Sequence, residues 1–220
     1  SPAGESSSVA SSALAGKVTS QEEGAMEGVV VSAQREGSPI IVSVVSNEQG
    51  EYRFPQDRLD AGSYAISIRA VGYDLASEGS VELATNAATL NLQLTTTRSL
   101  SAQLSNTEWM ISAPGSFEEK QYFDDCTMCH TLQQPMTSRY GPDEMAKVVQ
   151  RMGAHTLNST PAFPHFKSFV AEMLSEPLTE EEIDKGRYFS GINLSGADTW
   201  QFPFHTLPRP SGKATQVIMT

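Results

Sequence analysis

The chain has 220 residues, of which 39% are apolar, and its formal net charge is −11. This apolar content is enough for one large core or two small ones. An acidic surface of this kind repels nucleic acid and anionic membranes, so we expect neither as a partner. No apolar run approaches the roughly 18 residues that a membrane-spanning helix needs, and we therefore predict no transmembrane segment.

Residues 1–12 are small and mostly polar, and we predict a disordered tether there. The chain starts without Met, which fits a mature, exported protein whose signal peptide has been processed.

Residues 13–96 alternate between apolar and polar side chains, with turn residues between the runs. A period of two places every second side chain on one face of a strand. We therefore predict about seven strands in a small all-β sandwich. The clearest one-sided sets are Tyr64, Ile66, Ile68 and Ala70, and Leu90, Leu92 and Leu94.

Beyond the sandwich we predict a linker at 97–114 and an all-α domain at 115–195, because the apolar period becomes that of a helix. Ser116 and Glu119 form a capping box, which predicts a helix leading to Cys126. Three further helices are predicted, from Pro142 to Gly153, from Pro164 onward, and from the capping box of Thr179 and Glu182 to about Gly191.

Two of these helices carry apolar stripes at helical spacing. The stripes are Met145, Val148, Val149 and Met152 on the second helix, and Phe166, Phe169, Val170, Met173 and Leu174 on the third. Residues 196–220 then read as an extended tail, and its last residues, ATQVIMT, predict a strand with no partner in this sequence.

The two cysteines of the chain lie in one short stretch, Cys126-Thr-Met-Cys129-His130. A disulfide between them would close a tiny loop and stabilise little. Zinc would need two more spaced ligands, and a thioredoxin-like pair would need a βαβ context. The remaining option uses all three residues: both thiols bond to the vinyl groups of one haem c, and His130 coordinates the iron.

Residues 115–195 resemble a class I type cytochrome c domain. Tyr122 occupies a position where that family has an aromatic residue, and LTEEEIDKGRYFSGI resembles the C-terminal helix that crosses the N-terminal one. The chain departs from the family in having Glu118 where glycine is frequent, and in lacking a Met-Pro loop. The sixth iron ligand is therefore not marked by that loop.

We assign Met152 as the distal ligand, because QRMG resembles the ligand position in cytochrome domains that lack the Met-Pro loop. A methionine ligand raises the reduction potential and closes the iron to substrates. The alternatives are Met173, His155 and His165, with Met136 and Met145 less suited by position. Two arginines, Arg139 and Arg151, could pair with haem propionates. Three aromatic residues could cover the haem edge or the domain junction: Trp109, Trp200 and Phe202.

The run from Leu59 to Tyr73, LDAGSYAISIRAVGY, resembles a carboxypeptidase regulatory-like domain, which is a transthyretin-like β-sandwich. The resemblance covers about residues 13–95. Gly50 and Gly62 are placed at turns, and Gly72 is expected to take a positive φ. In that family the domain is a non-catalytic accessory. The expected fold is thus a transthyretin-like sandwich followed by an all-α cytochrome c fold.

The combination also resembles the N-terminal part of bacterial proteins that continue into a virginiamycin B lyase-like propeller. FHTLPRPSGKATQVIMT is similar to the lead-in to that propeller. By this resemblance the chain would be a short or cleaved version of such a protein.

The favoured function is a periplasmic or extracellular mono-haem cytochrome that passes single electrons between redox protein partners, such as a dehydrogenase or a respiratory or photosynthetic complex. No catalytic residue is assigned, and the sandwich would serve for docking. Three alternatives stay open. The chain could be the haem-bearing subunit or fragment of a larger redox enzyme, it could be a haem peroxidase with His155 as its base, or it could be a module whose Cys126 and Cys129 hold a metal or a disulfide.

Overall fold

The computed structural model describes residues 12–84, 86–127, 130–156, 171–216 and 218–219. The chain forms two compact units. One comprises Ser1–Leu100 together with Pro208–Thr220, and the other comprises Ser101–Leu207. Within the described residues, no helix is both long and apolar enough to span a bilayer.

The first unit is built from β-strands arranged in two sheets. Seven of its described strands have five or more residues, as the sequence predicts, and four are shorter. The strands are β1 (Ser12–Ser20), β2 (Gly24–Ala25), β3 (Val30–Arg35), β4 (Ile41–Val45), β5 (Glu51–Pro55), β6 (Gly62–Arg69), β7 (Tyr73–Leu75), β8 (Gly79–Leu83), β9 (Ala88–Thr89), β10 (Leu92–Thr96) and β11 (Ile218–Met219).

In one sheet β1 is central, pairing antiparallel with β2 and β5 and parallel with β9 and β10, while β7 pairs with β10. The other sheet has the order β11-β4-β3-β6-β8, and all of its pairs are antiparallel. The predicted alternation is confirmed, since Tyr64, Ile66 and Ala70 are buried and Ile68 is partly buried against the core. Burial of apolar side chains on one face of the longer strands stabilises the sandwich through the hydrophobic effect.

At two positions of this unit the backbone geometry requires glycine. Gly72 has φ of +94°, which confirms the predicted positive φ after β6. Gly16 in β1 lies so close to the backbone of Leu90 that a Cβ would come within 1.7 Å of the Leu90 carbonyl oxygen. Tyr52 donates a hydrogen bond of 2.6 Å to that same oxygen. The contact fixes the chain between β9 and β10 against β1.

The final strand corrects a prediction. The sequence indicated a terminal strand without a partner, but β11 pairs with β4, with Ile218 opposite Val44 and Met219 opposite Ser43. The final strand is therefore paired within this sequence. Nor is the segment 196–220 a simple extended tail, because its first part belongs to the second unit and its last part belongs to the β unit.

The second unit is helical. Its described helices are α1 (Asn106–Ser112), α2 (Phe117–Lys120), α3 (Tyr122–Cys126), α4 (Gln133–Met136), α5 (Pro142–Thr156) and α6 (Glu180–Ile192). The predicted capping boxes at α2 and α6 are confirmed, with each side chain bonded to the backbone of the other residue. The helix predicted from Pro164 lies largely outside the described residues, which resume with a helical stretch at 171–173.

The predicted linker 97–114 contains α1, which the sequence analysis missed. Ser105 and Glu108 form a third capping box there. Trp109 of α1 is fully buried and contacts Trp200 and Phe204 edge to face, with ring centroids 5.1 and 5.8 Å apart. Aromatic packing thus makes this segment part of the helical unit.

The core around α6 is also aromatic. Phe123 of α3 contacts Tyr188 and Phe189 of α6, with centroids 5.8 and 5.4 Å apart. Tyr122 contacts Tyr188 at 5.8 Å. These contacts hold the helix that precedes the cysteine motif against α6.

Candidate functional site

The helical unit contains a cavity of about 1140 Å³. Ligand sites in proteins commonly enclose about 300–1,000 Å³, so this cavity has room for a large flat cofactor. Its walls come from α3, α4, α5 and α6 and from the segment between α4 and α5. They include Tyr122, Cys126, His130, Pro135, Arg139, Tyr140, Met145, Val148, Val149, Arg151, Met152, Lys185 and Phe189.

Three sequence-predicted site residues meet at this cavity: Cys126, His130 and Met152. Cys129 lies outside the described residues, so its place is not described. Met173 is half-buried and is not among the residues that line the cavity, and Met136 is fully buried without lining it. The side chain of His155 and the whole of His165 also lie outside the described residues.

Cys126 is the last residue of α3, and its side chain is half-buried. Its Sγ lies 3.6 Å from the carbonyl oxygen of Tyr122, one helical turn earlier. The sulfur is therefore presented at the helix end, on the cavity wall.

His130 is oriented by its neighbour. Its Nδ1 lies 3.0 Å from the carbonyl oxygen of Thr131. A carbonyl oxygen only accepts hydrogen bonds, so Nδ1 carries the proton and donates. In the neutral ring Nε2 then keeps its lone pair, which is the form of imidazole that binds a metal.

Met152 approaches the cavity from α5. The predicted stripe of this helix lines the wall as a set, through Met145, Val148, Val149 and Met152. Residues at this spacing share one helical face, so the stripe and the cavity wall coincide. Met145 is buried, whereas Met152 is half-buried.

Arg139 and Arg151 both line the cavity. The guanidinium of Arg139 donates to the carbonyl oxygens of Leu194 and Ala197 at 3.3 and 3.4 Å and pairs with Asp198 at 3.4 Å. Its side chain is 59% exposed. The anchoring points limit its conformations at the edge of the site.

Asn193 positions this edge, and the sequence analysis missed it. Its Nδ2 donates to the Ser138 hydroxyl and to the Tyr140 carbonyl oxygen, both at 3.0 Å. Its Oδ1 accepts from the amide of Ser195 at 2.8 Å. Asn193 is 8% exposed and caps α6, so it ties that helix end to the wall residues 138–140. A lone Asn after a helix carries no sequence signal for such a partner.

Lys185 lines the cavity beside acidic residues of the α6 N-terminus. Its Nζ lies 2.7 Å from Glu181 and 5.7 Å from the centre of the Tyr122 ring. Within the described part of the chain, no group of three or more His, Cys, Asp or Glu side chains gathers as a polydentate metal site would.

The donor set can be compared with the cofactor that the sequence implies. A thiol, an imidazole with an available lone pair and a thioether sulfur line one cavity with apolar side chains, two arginines, a lysine and three glutamates. They include the groups that a covalent haem would use: a thiol for a thioether bridge, two side chains that can bind iron, apolar side chains and basic partners for its carboxylates. The described residues therefore fit the group.

The β unit is a two-sheet sandwich, and a family match defines it further. Residues 13–95 match the profile of the carboxypeptidase regulatory-like domain family. Residues 13–95 thus form a carboxypeptidase regulatory-like domain. The match ends before the helical unit begins.

Solved structures with similarity to the chain include three of different kinds. The Bacillus anthracis TIE protein is 18% identical over 38% of this chain and 16% of its own, with a TM-score of 0.29. The 5-hydroxyisourate hydrolase of Klebsiella pneumoniae is 23% identical over 40% of this chain and 97% of its own, with a TM-score of 0.30. A cohesin–X-dockerin complex from Acetivibrio cellulolyticus is 8% identical over 79% and 91%, with a TM-score of 0.28. No curated protein matches the chain.

Proposed function

We propose that the helical unit holds one covalent haem c in the cavity, and that the protein carries single electrons between redox protein partners. The observation that carries this proposal is the meeting of Cys126, His130 and Met152 on the wall of one cavity of about 1140 Å³. The CxxCH motif supplies Cys129 as the second attachment point.

Each cysteine has a defined role in the attachment. The thiols of Cys126 and Cys129 would each add across one vinyl double bond, with sulfur bonding to one carbon and hydrogen passing to the other. The addition needs no oxidant and releases nothing. The product has the mass of the polypeptide plus one whole haem, and this sum can be measured.

His130 and Met152 would supply the axial ligands. The hydrogen bond to Thr131 holds the imidazole in the tautomer that coordinates through Nε2 and fixes the plane of the ring. With Met152 as a second ligand, the iron would have a raised reduction potential and no open position for a substrate. When bound, the haem supplies a centre that gains and loses one electron.

The remaining wall residues would set the environment of the cofactor. Tyr122, Val148 and Phe189 line the cavity with apolar surface, which keeps water away from the ring. Arg139 and Arg151 offer two-pronged donors to the propionates. Both effects favour a fixed cofactor whose surroundings change little when an electron arrives.

The proposal includes a location and a role for the β unit. Covalent haem attachment, by resemblance to cytochromes c, implies export to the periplasm or the cell exterior. The β-sandwich would dock the protein to a partner such as a dehydrogenase or a respiratory or photosynthetic complex. All described residues that line the cavity lie in the helical unit.

A mass and a spectrum test the cofactor. The exported full-length protein should show a Soret band and a pyridine haemochrome typical of two thioether links, and its mass should exceed that of the polypeptide by one haem. Cys126→Ser should leave one thioether link and shift the haemochrome accordingly. A colourless protein with the mass of the bare polypeptide overturns the proposal.

Two methionine variants test the distal ligand. Met152→Ala should lose the far-red charge-transfer band of methionine ligation, lower the reduction potential and permit CO binding. Met173→Ala is the matched control and should leave all three unchanged. If Met173→Ala causes the loss instead, the proposal of a bound haem is retained and the assignment of Met152 as its ligand is wrong. A wild-type protein that binds CO and azide readily has an open iron, which would contradict simple electron transfer.

A further inference from the structure

The last part of the chain returns to the β unit and is anchored there by Arg209. Its guanidinium makes a two-pronged ion pair with Glu23, and its Nε donates to the carbonyl oxygen of Glu27 at 2.9 Å. The guanidinium carbon also lies 5.9 Å from the centre of the Tyr73 ring. Tyr73 in turn donates to Glu23 at 2.7 Å. One arginine thus contacts a carboxylate, a backbone carbonyl oxygen and the face of an aromatic ring.

The β unit is shaped for the residues next to Arg209. Gly28 has φ of +75°, and a Cβ there would lie 2.2 Å from the Pro210 carbonyl oxygen. The carboxylate of Glu27 accepts from the Gly212 amide at 2.7 Å. The carboxylates of Glu23 and Glu27 bind the Arg-Pro segment, and glycine at position 28 leaves the space that its backbone occupies.

At its far end the same segment adds a strand to the edge of a sheet. β11 covers β4 with two residue pairs, and β4 would otherwise be the edge of its sheet. Ile218 and Met219 remain 49% and 44% exposed. Strand addition to an exposed edge is a recurring way in which domains bind extended peptides. We call residues 208–219 the strap.

The strap is held by contacts that can be broken without unfolding a core. Its ladder has two pairs among the residues that the structure describes, and the ion pair at Arg209 is partly exposed, at 26% and 36%. The chain just before the strap is fixed separately, because Leu207 donates to Glu108 at 3.0 Å and His205 donates to Ser112 at 2.8 Å. Release can therefore stop at Pro208.

We propose that Glu23, Glu27, Tyr73 and the β4 edge form a docking site for a segment that is led by Arg-Pro, turns through a short 3-10 helix at Gly212–Thr215 and ends in a strand, and that the strap of the same chain occupies this site reversibly. Docking in cis gives the strap a high effective concentration, so it excludes competing segments until the Arg209 anchor is weakened. The inference concerns the β unit and does not depend on the proposed haem.

Amide exchange on the full-length protein tests the anchor. In Arg209→Gln, exchange over residues 41–45 should become about tenfold faster, because β4 loses its covering strand more often. Arg58→Gln is the matched control in the same unit, since the side chain of Arg58 is exposed and forms a long ion pair with Asp57, at 3.9 Å. Exchange at β8 provides the internal reference. Equal rates in Arg209→Gln and wild type overturn the proposal.

Peptide binding tests the site. A labelled peptide of residues 208–220 should bind the full-length Arg209→Gln protein at micromolar concentrations but not the wild type, whose site is filled. The same peptide with Gln at the arginine position should bind at least tenfold more weakly. Glu23→Gln offers a second route: it should also release the strap, yet its site should not take the peptide. Failure of the peptide to bind a released site, or equal binding to all variants, overturns the proposal.

Discussion

Gly186 in α6 lies directly against Ala146 in α5, with room for a hydrogen but not for a methyl group. A Cβ on Gly186 would lie 2.7 Å from the Ala146 nitrogen and 2.8 Å from its Cα. Both positions are buried, and α5 carries the methionine stripe of the cavity. The spacing of the two helices that form much of the cavity is therefore set by this glycine.

Gly186→Ala should destabilise the helical unit. The new methyl group meets backbone atoms that cannot rotate away, and overpacking of this kind costs about 1–3 kcal/mol. Alanine has a higher helix propensity than glycine, which offsets roughly 1 kcal/mol of this cost, so a net loss of up to about 2 kcal/mol is expected. Urea unfolding followed by circular dichroism measures it. Gly191→Ala is the control on the same helix, because nothing lies within 4 Å of its Cβ. It should be neutral or stabilising, and equal losses in both variants would contradict the contact.

Glu108→Ala should destabilise the helical unit, because this residue is only 2% exposed and both oxygens of its carboxylate accept hydrogen bonds. One oxygen accepts from the Ser105 amide at 2.8 Å, and the other accepts from the Leu207 amide at 3.0 Å. Loss of both leaves two partly buried backbone donors without their acceptor, at a cost of about 3 kcal/mol. Glu119→Ala removes the equivalent, exposed residue of the α2 capping box and should cost about 1 kcal/mol or less. Thermal unfolding of the two variants should separate them clearly.

Asn193→Ala should loosen the cavity wall formed by residues 138–140. It removes three hydrogen bonds at a site that is 8% exposed, and about 2–3 kcal/mol of stability should be lost. Amide exchange at 138–140 should rise while exchange in the β unit stays constant. Arg139→Gln, whose side chain is 59% exposed, is the comparison and should cost less than about 1 kcal/mol. A wall that stays protected in Asn193→Ala would show that Asn193 does not hold it.

Structural features that depend on neighbouring residues could be predicted from the sequence. The capping boxes of Ser116 and Thr179 and the positive φ of Gly72 need only a few neighbouring residues. The stripe on α5 was predictable for the same reason, and it brought Met145 and Met152 to the cavity wall. The Ser105–Glu108 box has the same pattern and could have been found.

Long-range partners were not predictable from these patterns. β11 was recognised as a strand, but its partner β4 lies more than 170 positions earlier in the chain. Asn193 and Arg209 each bond to residues 53 or more positions away, and nothing in their local sequence marks those distant partners. Gly186 is similar, because a glycine inside a helix does not reveal which neighbour requires it.

Acid should weaken the anchor of the strap. The hydrogen bond from Arg209 lowers the pKa of Glu23 below its ordinary 4.5, although burial opposes the shift. A carboxyl group whose folded pKa is lowered stabilises the docked state above the ordinary pKa, and that contribution is lost as pH falls through the lower folded value. An NMR titration of the Glu23 carboxyl carbon should show a midpoint below 4.5 in wild type and a higher one in Arg209→Gln. Identical midpoints would remove Arg209 as the cause.

Alkali should destabilise the helical unit through Tyr188. Burial, followed by the negative charge of Glu119, raises the pKa of Tyr188 to about 12 from the ordinary 10. The folded state then keeps a proton that the unfolded state releases above about pH 10, so stability falls as pH rises from 10 towards 12.

Tyr188→Phe removes this pH dependence. It also loses the 2.9 Å hydrogen bond to the Pro114 carbonyl oxygen, at about 1 kcal/mol. The difference in tyrosinate absorbance between wild type and Tyr188→Phe gives the midpoint directly. Tyr52→Phe, in the β unit, should leave that midpoint unchanged, and a Tyr188 midpoint near 10 would contradict its burial.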